Sequence, residues 1–278
     1  MSVTVMLGGN LNDIGPTLES AIQLTKRLKT TLTGLCALPD PATSAVYITG
    51  AEAVMMGAAA IQSLTEAQDK LVQEFQSTFS DQVKAAGTWL KADFKKEIGS
   101  VASHGAAAAA FVDAFILPKA ATNSGHPLNP VFEHVLMEAN LPLVLAADEA
   151  TISDTCMIAW DGSPLAARAV RLHLPLIRSY KKVVIAQNPE KVRHQWAHVS
   201  TESKERLAEM LRAERMEVSD IEIAGPVSDA LLKAAQEQDA SLIVMGAYGH
   251  NRIGQMLFGG TTSKLLQSEA APALALCR

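Results

Sequence analysis

Residues 240–276 read ASLIVMGAYGHNRIGQMLFGGTTSKLLQSEAAPALAL, and the fold follows from them. The apolar run Ala240 to Met245 reads as a strand buried on both faces of a parallel sheet. Gly246-Ala247-Tyr248-Gly249 follows directly, then nine residues, then Gly259-Gly260-Thr261-Thr262 and a helix over Thr262 to Ser268. Ala271 to Leu276 closes the stretch as another strand. Glycines after a strand let the backbone approach an anion closely and adopt positive φ. The start of the next helix offers unpaired N–H groups and a positive dipole end, and Thr261 and Thr262 add hydroxyls. In an open α/β sheet, ligands bind beyond the carboxyl ends of the strands, which is where this loop lies.

Working outward, the plan recurs. Cys156 to Trp160 is a strand that ends in Asp161-Gly162-Ser163-Pro164, with a helix over Leu165 to Ile177 and a second strand over Val183 to Ala186. In the first half, Val3 to Leu7, a helix over Pro16 to Leu28 and a strand over Leu32 to Leu38 repeat that order. Asp113 to Leu117 matches Ala240 to Met245, and Leu141 to Leu145 matches Ala271 to Leu276. Each half reads β-α-β-α-β-α-β, and right-handed crossovers make each a doubly wound parallel sheet. The expected fold is α/β with two tandem domains, 1–150 and 151–278, joined near Asp148 to Ser153. The first carries a helix-rich insertion at about 51–86, whose Ala, Gln, Glu and Lys favour one or two long helices.

Composition excludes several classes. A length of 278 residues suits two domains, and 48% hydrophobic residues fill two cores although aromatics are only 5%. A net charge of −5 argues against a nucleic-acid partner, which would need a basic stripe. The three scattered cysteines, Cys36, Cys156 and Cys277, read as reduced core thiols of a cytoplasmic protein. No apolar run spans a membrane. Neither GxxxxGK[ST] nor a first-loop GxGxxG occurs.

GxxG, nine residues, then glycine with small hydroxyl residues resembles the universal stress protein family, as does a first strand ending in Asp161-Gly162-Ser163. The resemblance spans the chain as two tandem domains, with its specific motifs in the second. It implies a stress-response protein binding ATP or a related adenine nucleotide, with or without magnesium, in that domain. Gly246 and Gly249 would form the ribose and phosphate turn, and Gly259, Gly260, Thr261 and Thr262 would cradle the phosphates. Ala159 and Asp161 would meet the adenosine, with Gln187 at the adenine edge. The family pattern places Ser or Thr where Gly260 stands, so weakened but retained binding is expected. No general base or arginine finger is identifiable, so a regulatory ligand is expected rather than catalysis, with slow hydrolysis left open. The alternative is a nucleotide-independent interaction protein of the same fold. The resemblance further implies that Leu141 to Ala146 and Pro272 to Leu276 pair domains or subunits, and 51–86 offers a surface for a homodimer.

The first half departs from the motif. Pro118 and Ala121 stand at the glycine positions, Asn129-Pro130 replaces the glycine–threonine cluster, and Pro130 lacks an N–H. No nucleotide is expected there; Gly8, Gly9, Lys119 and His126 are either a site for some other anion or ordinary loop residues. His194, His198 and Glu202 share a helical face but fall short of a zinc set. Ser163 caps the following helix. Trp160 either stacks on a base or sits in the core, and His250 either meets a phosphate or is an exposed tip.

Overall fold

The computed structural model describes residues 2–43, 57–150, 152–192, 194–247 and 261–278. The first half runs β1 (Val3–Met6), α1 (Leu11–Leu28), β2 (Leu32–Leu38), α2 (Gly57–Ala86) and β3 (Ala92–Ile98). It continues with α3 (Val101–Ala109), β4 (Ala114–Leu117), α4 (Asn129–Glu133) with a π-helical turn at His134–Glu138, and β5 (Leu143–Leu145). The second half runs β6 (Thr155–Ala159), α5 (Pro164–Leu172), α6 (Leu174–Ile177), β7 (Lys182–Gln187), α7 (His194–Ala213) and β8 (Glu217–Glu222). It ends with α8 (Val227–Glu237), β9 (Ala240–Gly246), α9 (Thr261–Gln267) and β10 (Ala273–Cys277).

Among the described residues, ten strands lie in one sheet of order β3-β2-β1-β4-β5-β10-β9-β6-β7-β8. The order reads outward identically from the centre, so the two halves share one winding. Every neighbouring pair is parallel except β5 and β10, which are antiparallel with Leu143 opposite Leu276, Val144 opposite Ala275 and Leu145 opposite Leu274. Strand alternation feeds two cores. Val3, Val5, Cys156 and Ile158 face one layer of helices, while Met6 and Met157 face the other.

Each half has five strands, one more than the apolar runs indicate. The additional strands, β3 (ADFKKEI) and β8 (EVSDIE), are the two edges of the sheet and are mostly exposed, so they carry charge instead of an apolar run. This changes the meaning of 51–86. Residues 57–86 form α2, which crosses from β2 to β3 as α7 crosses from β7 to β8; it has 30 residues against 20. Residues 51–56 lie outside the described residues. α2 seats Val72, Phe75 and Phe79 in the core, and Gly34 of β2 makes room for it: a Cβ there would lie 2.7 Å from Cε2 of Phe79. Two helix bounds also differ. α1 begins at Leu11 with Pro16 inside it, and the helix expected over Leu165 to Ile177 breaks at His173, just before Pro175.

Side chains tie the halves together on either side of the β5–β10 seam. Arg27 of α1 donates through Nη2 to the Ser153 carbonyl at 2.5 Å and through Nη1 to the Ser179 carbonyl at 3.2 Å. Nη1 also reaches Asp154 at 3.3 Å, and the guanidinium lies 4.0 Å from the centre of the Tyr180 ring. Arg278 Nη1 donates to the Met137 carbonyl at 2.9 Å. In the second half, His173 is fully buried and its Nε2 donates to the Leu276 carbonyl of β10 at 3.0 Å. Burial pushes its imidazolium pKa down to about 4.

Two outcomes follow for stability. Arg27→Met removes charge-assisted bonds and a cation–π contact, and urea unfolding should show a loss of about 3 kcal/mol; a loss within error of zero would mean Arg27 is no tie. His173 stays neutral when folded but takes up a proton when unfolded below about pH 6.5. Stability should therefore fall as pH drops from about 6.5 to about 4, by about 3 kcal/mol from this group. His173→Gln, which keeps an N–H donor without a titration in this range, should flatten that part of the pH profile.

Candidate functional site

In the second half the strand order turns back at β6, which has β7 on one side and β9 on the other. A crevice therefore forms at the carboxyl ends of β6 and β9, the place where doubly wound sheets take ligands. Ala159 ends β6 and is half-buried; Gln187 ends β7 and Gly246 ends β9. Asp161 is exposed just beyond β6, and its Oδ1 accepts from the Ser163 N–H at 2.9 Å. Gly162 holds φ +74°, a conformation that favours glycine and turns the chain into α5. Ser163 Oγ accepts from the Ala166 N–H at 3.2 Å, so it is the helix cap the sequence indicates.

Gly246 has a packing role that its sequence context does not disclose. A Cβ there would lie 3.0 Å from the Leu165 carbonyl carbon and 3.1 Å from the Ala166 nitrogen. The first turn of α5 thus rests directly on the end of β9, and any side chain there would have to push it back by a few tenths of an ångström. The neighbouring Ala247 is fully buried and continues the sheet, its N–H donating to the Cys277 carbonyl at 2.8 Å.

Gln187 is only 4% exposed, and its Nε2 has no hydrogen-bond partner among the described residues. Trp160 is its neighbour across the sheet, since Ala159 pairs with Ala186 and the Trp160 N–H donates to the Ala186 carbonyl at 2.8 Å. The indole is 6% exposed within the apolar core, which decides between its two sequence readings in favour of the core; its Nε1 also lacks a partner among the described residues. Asn188 fixes the end of β7: its Oδ1 accepts from the Glu190 N–H and its Nδ2 donates to the Gly225 carbonyl at 3.0 Å. The Asn188-Pro189 pair is the sequence signal for that turn.

Thr261 and Thr262 are half-buried and open α9, whose Leu265 and Leu266 pack in the same core layer as Ile243 and Met245. Gly249, Gly259 and Gly260 lie outside the described residues, as does His250. The structure thus places Ala159, Asp161, Gln187 and Gly246 at the ends of three adjacent strands. His194, His198 and Glu202 fall on α7, and their side chains lie outside the described part.

In the first half the turn after β1 is covered by its own chain. Gly9 has φ +89°, and a Cβ on it would lie 2.3 Å from Nε2 of His126; a Cβ on Gly8 would lie 2.9 Å from Leu128. The Leu128 N–H donates to Nδ1 of His126 at 3.1 Å, which leaves the ring proton on Nε2, 3.7 Å from Asp13. Burial lowers the His126 pKa, with Asp13 opposing it. Lys119 Nζ meets Asp148 at 2.6 Å and the carbonyls of Ser268 and Ala271 at 2.9 and 3.4 Å, so all three of its donors are used. Gly8, Gly9, Lys119 and His126 therefore do not form an anion site.

The ten-stranded order, with a strand-order reversal in each half, defines a doubly wound α/β protein. Comparison with known proteins agrees. Residues 153–276 match the universal stress protein family. A universal stress protein in the QAH/OAS sulfhydrylase 3′ region of Thermus aquaticus is 26% identical over 136 residues, covering 43% of this chain and 96% of that protein. The crystal structure of a universal stress protein from Archaeoglobus fulgidus DSM 4304 aligns with 100% of this chain and 98% of its own, at TM-score 0.64 and 17% identity. The family match is thus confined to residues 153–276, and the whole chain shares the fold of the Archaeoglobus protein.

The packing at Gly246 is directly testable. Gly246→Val should cost about 2 kcal/mol in urea unfolding, because the first turn of α5 must lift off β9; Gly246→Ala should cost less. A valine variant as stable as the parent would show that the turn is not seated there.

Proposed function

We propose that the second half binds ATP or a related adenine nucleotide as a regulatory ligand, and that the protein serves in a stress response. The observation that carries this reading is the glycine series from Gly246 to Gly259-Gly260, launched from the end of β9 beside the β6 crevice in a half that matches the family. The residues present suit an adenosine. The Asp161 carboxylate is exposed with one oxygen engaged by Ser163, leaving the other for a ribose hydroxyl. The unpartnered Nε2 of Gln187 is a donor for a ring nitrogen of the base. Thr261 and Thr262 at the start of α9, with the glycines before them, would hold the phosphates, and magnesium would accompany those phosphates as a counter-ion. Nucleotide bound this way stabilises the folded form by about 2.7 kcal/mol at a hundredfold excess over Kd and biases which partner it meets. Residence in the cytoplasm and self-association through α2 belong to the same proposal.

One observation favours a second reading, a nucleotide-independent interaction protein. Gly246 is required for packing against α5 whether or not a ligand binds, and Gly260 takes the place of a hydroxyl residue. Calorimetric titration of ATP into nucleotide-free protein, and into a Gly249→Val, Gly259→Val double variant checked by circular dichroism, separates the two. Saturable binding that disappears in the folded variant is expected. Absence of binding by the parent protein would leave the interaction reading in its place.

A further inference from the structure

In the first half the loop that follows β4 touches the other half at a specific place. Lys119 stands immediately after β4, in the position that Ala247 and Tyr248 hold after β9. Its side chain is 5% exposed and crosses to the carboxyl end of α9, where Nζ donates to the Ser268 and Ala271 carbonyls. A cation just past the end of α9 complements the helix dipole, and it adds a second donor to the Ser268 carbonyl, which also accepts from the Ala271 N–H at 3.2 Å.

The root of Lys119 is fixed as firmly as its tip. Its carbonyl accepts from Thr122 Oγ1 at 2.8 Å, and the buried Asn129 donates to the Ala121 carbonyl at 3.1 Å in the same 3₁₀ turn. Asp148, just past β5, holds Nζ at 2.6 Å. α9 has only seven residues, a rod of about 10 Å at 1.5 Å per residue. Such a rod does not bend, and with Leu265 and Leu266 seated in the core, a hold on the turn that follows it restrains the whole helix. We infer that Lys119 is a positioning residue for the opposite half: by holding the far end of α9 it sets where Thr261 and Thr262 stand. The inference rests on the nucleotide reading for its effect on affinity. Its structural content, an immobilised α9, does not.

The test uses the full chain. Lys119→Met removes the charge at similar length, Lys119→Arg keeps a cation, and Arg27→Met breaks a tie between the halves that touches no part of α9. ATP affinity is read by calorimetry, folding by circular dichroism, and amide hydrogen exchange of 262–271 is read without nucleotide. Lys119→Met should weaken ATP binding about tenfold and speed exchange in α9, and Lys119→Arg should restore most of both. Arg27→Met should lower the melting temperature with ATP affinity and α9 exchange unchanged. A folded Lys119→Met with parental affinity and exchange, or an Arg27→Met variant that loses affinity equally, would overturn the inference. If the parent protein binds no ATP, the nucleotide reading fails alone, and exchange in α9 still decides the role of Lys119. Should Lys119→Met not fold, Lys119→Gln, which keeps two N–H donors, takes its place under the same criteria.

Discussion

The antiparallel meeting of β5 and β10 is the constraint on which the rest of the molecule depends. Each half is a parallel winding, and a parallel winding leaves an apolar last strand with one unpaired side. Leu143, Val144 and Leu145 are fully buried only because Leu274 to Leu276 lie against them. Once that seam is antiparallel, the strands of the two halves point in opposite directions. The carboxyl ends of their strands then lie at opposite ends of the sheet, and the cations Arg27, Lys119 and Arg278 can each reach backbone carbonyls of the other half.

The two halves show what one winding does under different sequences. In the second, Gly162 turns the chain into α5 and Gly246 lets its first turn lie close against β9. In the first, the same geometry survives at Gly8 and Gly9, but His126 and Leu128 from the segment before α4 cover them. The loop then contributes a lysine to the neighbour. The polar chemistry of the first half has been redirected from a ligand to the chain itself, which is where a buried ammonium finds its carboxylate and carbonyls.

Much of the winding was legible because continuous apolar strands such as Val183 to Ala186 and Leu242 to Met245 have no other stable destination than a sheet covered on both faces. The edge strands were not, because β3 and β8 are half-solvated and their Asp, Glu and Lys residues read as loop or helix. That omission made α2 look like an insertion when it occupies the winding position of α7. At the site, Asp161, Gly162 and Ser163 announced their turn through local chemistry. The packing role of Gly246, the burial of Trp160 and the engagement of Lys119 depend on residues far away in the chain, and no local pattern carries them.

The seam also bears on synthesis. β10 is the tenth strand in chain order, so β5 waits as an uncovered edge while the whole second half is made, and the nascent first half folds first. The final edges of the finished sheet, β3 and β8, carry charges that repel stray pairing, whereas Leu143-Val144-Leu145 carries none. An intermediate in which only the first half has folded therefore exposes an uncharged apolar edge that the mature surface conceals.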